Sequence, residues 1–70
     1  GNDSLIWYDR GVALTQLEKY DDAISSYEKA IEISPGYADA WYNKGELLKH
    51  TGLEDEATVC FDKVKELEGE

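Results

Sequence analysis

The sequence predicts an all-α fold of two stacked helix-turn-helix hairpins, and an internal repeat is the main reason. The pentapeptide WYDRG at 7–11 returns as WYNKG at 41–45, a shift of 34 residues. Apolar residues also recur at helical spacing in each copy. A fixed period of this length is typical of stacked supersecondary units. The same shift aligns further identical residues, which are Leu14 with Leu48, Asp21 with Asp55, Ala23 with Ala57, Lys29 with Lys63, and Glu32 with Glu66.

The first two helices are predicted from capping residues and apolar spacing. We expect Asp3 or Ser4 to cap the first helix, because their side-chain oxygens can accept the first amide hydrogens. Asp21 and Asp22 then open a second helix with negative charge at its positive end. The segment 34–36, Ser-Pro-Gly, ends that helix. The apolar positions of the two helices are Leu5, Tyr8, Val12, Trp7, Gly11, Leu14, Leu17, Ala23, Ile24, Tyr27, Ala30, Ile31 and Ile33.

The third and fourth helices repeat this pattern. The third is expected to begin near Asp39 and to end at Gly52, a left-handed stop that follows basic residues. The fourth opens with the acidic pair at 55–56 and carries Ala57, Cys60, Phe61, Val64 and Leu67.

Two glycines lie in the middle of predicted helices, where glycine costs about 1 kcal/mol relative to alanine. Gly11 and Gly45 are tolerable there if the partner helix must approach closely, and Ala23 and Ala57 offer small surfaces for that approach. We expect aromatic pairs to fill the wider part of each hairpin, and these pairs are Trp7 with Tyr27 and Trp41 with Phe61.

Length and composition predict one small domain, residues 1–70, with a first repeat at about 4–37 and a second at about 38–70. No stretch approaches the roughly 20 apolar residues that a membrane-spanning helix needs, so no membrane association is expected. The single cysteine cannot form an internal disulfide. This fits a reducing compartment, and we expect a cytoplasmic protein. Because the chain contains no methionine, we interpret it as a piece of a longer protein.

The charge balance argues against nucleic-acid binding. The chain has 16 acidic and 7 basic residues, a formal net charge of −9. Such a surface repels phosphate backbones and lacks the counterion release that drives binding to them. The same charge is compatible with simple solubility and with a basic partner.

Candidate catalytic or metal-binding groups are few. His50 is the only histidine and Cys60 the only cysteine, so we expect no metal site, no cofactor and no enzymatic activity. Cys60 is interpreted as a small core residue, and His50 as a partner of a helix C-terminus or a groove residue. The acidic pairs at 21–22 and 55–56 are interpreted as helix-start charges.

These residues resemble the tetratricopeptide repeat family, over about residues 4–69. The period, the Trp-x-x-x-Gly of the first helix, the alanine and aromatic residue of the second and the closing proline carry the resemblance. The second repeat departs from the pattern at Val64 and Gly69. The resemblance implies a solenoid fragment that binds protein without catalysis. The matching residues are Trp7, Gly11, Tyr20, Ala23, Tyr27, Ala30 and Pro35, then Trp41, Gly45, Gly52, Ala57 and Phe61.

The resemblance also implies a concave groove, lined by the first helix of each repeat, for an extended peptide or a partner helix. Asn43 matches a position that often bonds a peptide backbone, whereas its counterpart in the first repeat is Asp9. An alternative is that Tyr8 and Tyr42 only pack between helices. The implied groove residues are Leu5, Tyr8, Asp9, Val12, Gln16, Asp39, Tyr42, Asn43, Glu46 and His50.

The family's lysine clamp for the C-terminal carboxylate of chaperones is not expected here. The corresponding positions hold Leu5, Tyr8, Asp39 and Tyr42. The acidic residues favour a basic or polar ligand instead.

Two further hypotheses concern the chain as a structural unit. It could be a spacer, or it could self-associate as a homodimer through Tyr8, Tyr42, Val59 and Leu67 or by hairpin exchange across residues 34–37. The apolar Ile24 and Ile31 become Thr58 and Lys65 in the second repeat. This suggests a water-facing unit at the C-terminal end of an array.

Overall fold

The computed structural model describes residues 3–69, and these residues form four α-helices. The helices are α1 (Asp3–Gln16), α2 (Tyr20–Ile33), α3 (Ala38–His50) and α4 (Glu54–Leu67). Helix α1 packs on α2 and α3 packs on α4, while α2 and α3 join the two hairpins. The predicted all-α fold of stacked hairpins is therefore confirmed. Within residues 3–69, every helix is too short or too polar to span a lipid bilayer.

The helices begin slightly earlier than the acidic residues suggested. Helix α2 begins at Tyr20, and its acidic pair lies in the first turn. Helix α4 likewise begins at Glu54, one residue before the acidic pair at 55–56. The residues before α2, α3 and α4 form no side-chain cap hydrogen bond. The carboxylates therefore act on the helix dipole, within the first turn, and not as caps.

The prediction that Asp3 or Ser4 caps α1 is wrong. Both lie inside α1, in which Asp3 is the first helical residue that the structure describes, and the residue before Asp3 lies outside the described part of the chain. Ser4 is buried, and its hydroxyl accepts a hydrogen bond of 2.9 Å from the hydroxyl of Ser34. This bond joins the start of α1 to the end of α2. Ser4 therefore closes the first hairpin.

We expect Ser4→Ala to lower the free energy of unfolding by about 1 kcal/mol, the usual worth of such a hydrogen bond. Ser25→Ala is the matched control, because Ser25 is exposed in α2 and gains the same helix propensity. Urea denaturation of both variants measures the difference. Equal midpoints for the two variants would show that the bond between the serines adds no stability.

The loops inside the hairpins use the same backbone geometry in both repeats. Gly52 has a φ of 90°, as predicted for a left-handed helix stop, and Glu18, its counterpart one period earlier, has a φ of 61°. The following amides donate hydrogen bonds back to the helix, from Lys19 to the carbonyl of Leu14 and from Leu53 to that of Leu48. Glycine adopts this conformation without strain, whereas glutamate does not.

Each mid-helix glycine lies against an aromatic ring of the partner helix. A Cβ atom built on Gly11 would lie 2.6 Å from Cε1 of Tyr27, and one on Gly45 would lie 2.7 Å from Cε1 of Phe61. Tyr27 is 1 % exposed and is the largest fully buried side chain among the described residues, whereas Phe61 is half-buried. Close approach therefore explains both glycines, and the first hairpin is packed more completely.

The core consists of two adjoining clusters. The first is centred on Tyr27 and extends into α3, and Trp7 packs at its edge. The second lies between α3 and α4, contains Cys60, and has Trp41 and Phe61 at its edge. Ile24 packs against both clusters and links the hairpins. Cys60 is buried, and burial raises the pKa of its thiol, so it is a core residue, as predicted.

Candidate functional site

The first helices of the two hairpins border an open depression of about 390 Å³. It lies between α1 and α3, and Tyr27 of α2 contributes to its wall. Five of the ten groove residues suggested by the sequence line it, namely Val12, Gln16, Tyr42, Asn43 and Glu46. Thr15 and Leu47, which the sequence interpretation did not include, line it as well. We refer to this depression and its rim as the groove.

Tyr8 connects the two hairpins across the groove. Its hydroxyl accepts a hydrogen bond of 2.9 Å from Nδ2 of Asn43. Its ring stacks on that of Tyr37, with centroids 5.0 Å apart, and tilts against that of Tyr27 at 5.7 Å. Tyr8 is half-buried as a result. Tyr8 therefore packs between the helices, which was one of the two interpretations of this residue, and it also forms a hydrogen bond with Asn43.

Tyr42 differs from Tyr8, although both hold the same position in their repeats. Its ring lies 5.7 Å from that of Phe61, and 49 % of the residue remains exposed. This exposure makes Tyr42 one of the exposed large hydrophobic side chains among the described residues. Among the groove tyrosines, it offers the most area to a ligand.

Acidic residues surround the tyrosine stack. Burial raises the pKa of Tyr8, and the negative charge of Asp39 raises it further. Burial also raises the pKa of Tyr37, with additional contributions from Tyr8 and Asp39. Asp9 adds to both effects. Both carboxylates therefore act on the same pair of hydroxyls, and a cation placed there would be attracted by both.

The remaining suggested residues lie away from the depression. Leu5 is exposed near the start of α1. His50 is exposed at the end of α3, and its ring meets the edge of Tyr20 with centroids 4.8 Å apart.

Tyr37 was missed because it precedes α3 and falls outside the helical stripe. Thr15 could have been found, since it follows Val12 by three residues on the same helix face.

The described residues show no donor set for a metal ion. Within residues 3–69, no three or more His, Cys, Asp or Glu side chains are grouped so that they could hold one. The groove instead combines aromatic rings, an amide and carboxylates. This combination is suited to binding a peptide, through its backbone and its basic side chains.

Two comparisons bear on these observations. Residues 11–52 match a family model described as "TPR repeat", and residues 38–70 match one described as "Tetratricopeptide repeat". An uncharacterized protein of Methanocaldococcus jannaschii is 38 % identical over 55 residues, which cover 79 % of this chain and 64 % of that protein. Small glutamine-rich tetratricopeptide repeat-containing protein 2 of Saccharomyces cerevisiae is 30 % identical over 67 residues, which cover 96 % of this chain. The chain spans 64 % and 19 % of the lengths of these two relatives.

Proposed function

The chain belongs to the tetratricopeptide repeat family, and we propose from that premise that its groove binds an extended segment of a partner protein. Repeats of this family mediate protein–protein interactions in general. The observation that carries the proposal is the exposed ring of Tyr42 beside Asn43 in the depression between α1 and α3. An aromatic surface next to a fixed amide supplies apolar contact and a directional hydrogen bond at one place.

Asn43 has a defined role in this proposal. Its amide nitrogen donates to Tyr8, which fixes the orientation of the side chain and leaves its Oδ1 to accept. A peptide backbone N–H is the natural donor for that oxygen. Tyr8 is then a positioning residue for Asn43, because its hydroxyl accepts the hydrogen bond that orients the amide.

The ligand is proposed to carry basic side chains. Asp9, Asp39 and Glu46 are exposed around the groove, and the whole chain carries a formal charge of −9. A lysine or arginine near the tyrosine stack would gain from the carboxylates and from the faces of the rings. An acidic segment would be repelled by the same groups.

Fluorescence anisotropy with labelled peptides tests the proposal. Peptides of equal length that are basic, neutral or acidic are titrated with the protein at 50 and 300 mM salt. We expect the basic peptides to bind and their affinity to fall at the higher salt, because exposed charges are screened. The double variant Asp39→Asn with Glu46→Gln is expected to weaken basic-peptide binding about fivefold.

The matched control removes the same charge elsewhere. Asp62→Asn with Glu66→Gln alters two exposed residues of α4, outside the groove lining, and should change affinity by less than about twofold. The proposal is rejected if the two double variants behave alike, or if acidic peptides bind best. Loss of binding in Tyr42→Ala would further locate the ligand in the groove.

A further inference from the structure

The lining of the groove includes a buried hydroxyl that the packing of the first hairpin does not require. Tyr27 is 1 % exposed, and its ring packs on Gly11 as the ring of Phe61 packs on Gly45. Phe61 does so without a hydroxyl. Within residues 3–69, the hydroxyl of Tyr27 has one hydrogen-bond contact, with Oγ1 of Thr15 at 3.4 Å, which is long for two hydroxyls. Because a buried hydroxyl with so weak a partner lowers stability, it needs a reason other than packing.

Thr15 presents an oxygen to the same space. Its hydroxyl donates a hydrogen bond of 2.7 Å to the carbonyl of Gly11, so its hydrogen is used within α1 and its oxygen can only accept. Any bond between the two hydroxyls is then donated by Tyr27, whose oxygen keeps its lone pairs. Both residues line the depression. Their counterparts in the second repeat are Lys49 and Phe61, so the hydroxyl pair belongs to the first hairpin alone.

The rest of the depression combines apolar surface with one negative charge. Val12, Tyr42 and Leu47 contribute apolar surface, and the carboxylate of Glu46 is exposed beside them. Gln16 is exposed as well, and its amide can turn either its oxygen or its nitrogen toward a ligand. A side chain that enters along the apolar surface therefore meets two hydroxyl oxygens and a carboxylate.

We infer that the depression is a pocket for one lysine side chain of the bound segment, an inference that rests on the proposed function of the groove. The lysine ammonium group has three N–H donors and no acceptor. These donors match the hydroxyl oxygens of Thr15 and Tyr27 and the carboxylate of Glu46. The four-carbon stem packs on Val12 and Tyr42, and the amide of the neighbouring asparagine stays available to the peptide backbone.

Two other cationic side chains fit this pocket less well. The guanidinium group of arginine holds its donors in one plane and suits the paired oxygens of a single carboxylate. The three oxygens here belong instead to Thr15 of α1, Tyr27 of α2 and Glu46 of α3. Trimethylated lysine keeps its charge and can contact the ring of Tyr42, but it has no N–H to donate. The pocket should therefore select unmodified lysine.

Three labelled octapeptides test the inference by fluorescence anisotropy at 50 mM salt. Serine alternates with lysine in the first peptide, with arginine in the second and with trimethyl-lysine in the third, so that length and charge are equal. We expect the lysine peptide to bind about fivefold more tightly than either of the others, a difference equivalent to about one hydrogen bond.

Variants of the protein locate this preference in the pocket. Thr15→Val and Tyr27→Phe each remove one hydroxyl and keep the shape of the side chain. Each should weaken binding of the lysine peptide about threefold and leave that of the trimethyl-lysine peptide within about twofold. The readout is the ratio of the two affinities on the same protein, which does not depend on the fraction of protein that is folded.

Matched controls remove the same groups elsewhere. Thr58 donates a similar bond of 3.0 Å to the carbonyl of Glu54 in α4, and Tyr20 is half-buried outside the lining of the depression. Thr58→Val and Tyr20→Phe should leave the ratio unchanged.

The possible failures of the two proposals are distinguishable. If the lysine peptide binds no better than the arginine or the trimethyl-lysine peptide, or if both hydroxyl variants keep the full preference for lysine, the inference is overturned. The proposed function survives those results, because basic peptides still bind. If none of the three peptides binds, the groove does not take basic segments, and the proposed function is overturned together with the inference.

Discussion

Tyr27→Ala is expected to lower the free energy of unfolding by about 4 kcal/mol, in the range measured when large aromatic residues are removed from protein cores. Tyr27 is fully buried and packs in the cluster that extends from the first hairpin into α3. Its removal leaves a cavity beside Gly11, which has no side chain to fill it. A chain of this size has a total stability of about 4–10 kcal/mol, so the variant should retain about 0–6 kcal/mol and be partly unfolded at room temperature at the lower end of that range.

Phe61→Ala is the matched control, since Phe61 holds the same position in the second repeat. Its ring is only half-buried, so part of the space it leaves would be open to water. We expect this variant to lose about 2 kcal/mol. Urea denaturation followed by far-UV circular dichroism compares the two variants, and equal losses would contradict the difference in packing between the hairpins.

Gly11→Ala is expected to destabilise the protein by about 2 kcal/mol, although alanine is the better helix former. The gain in helix propensity is about 1 kcal/mol. Against it, the new Cβ would lie 2.6, 2.8 and 2.9 Å from three atoms of the Tyr27 ring. That ring is enclosed and has little room to move, and overpacking of this kind typically costs about 1–3 kcal/mol. At the upper end of that range, the clash outweighs the propensity.

Two comparisons make this result specific to the contact. Gly45→Ala should lose less stability, because the half-buried ring of Phe61 can shift toward solvent. In a Tyr27→Leu background, Gly11→Ala should cost less than about 0.5 kcal/mol, since the clashing ring is absent. The close approach would be disproved if Gly11→Ala alone raised the unfolding midpoint in urea.

The architecture could be predicted from the sequence because the same pattern of helix and turn residues occurs in both repeats. Gly11 and Gly45 are costly in mid-helix, and a costly residue at the same place in both copies indicates a close contact. Gly52 was equally informative, because glycine after basic residues is a common helix stop. Glu18, at the equivalent position of the loop between α1 and α2, gave no such signal, since glutamate rarely adopts a positive φ.

Contacts between residues far apart in the chain were not predictable in this way. Ser4 has the residue type of a helix cap, and only the folded hairpin reveals that it meets Ser34. The family resemblance indicated Val12, Gln16 and Glu46 for the groove, because each lies on the first helix of its repeat. Tyr37 lies just before α3, so no periodicity places it, and its stacking on Tyr8 depends on the geometry of the loop.

The neighbour-to-neighbour packing of the helices also has a kinetic consequence. Each described helix packs mainly on the helix next to it in sequence, α1 on α2, α2 on α3 and α3 on α4. Native contacts therefore close short loops, which lose little chain entropy. Helical domains with such local contacts fold in about microseconds to milliseconds. Folding therefore depends mainly on contacts between helices that are neighbours in sequence. Each hairpin, once formed, presents a surface on which the next can assemble.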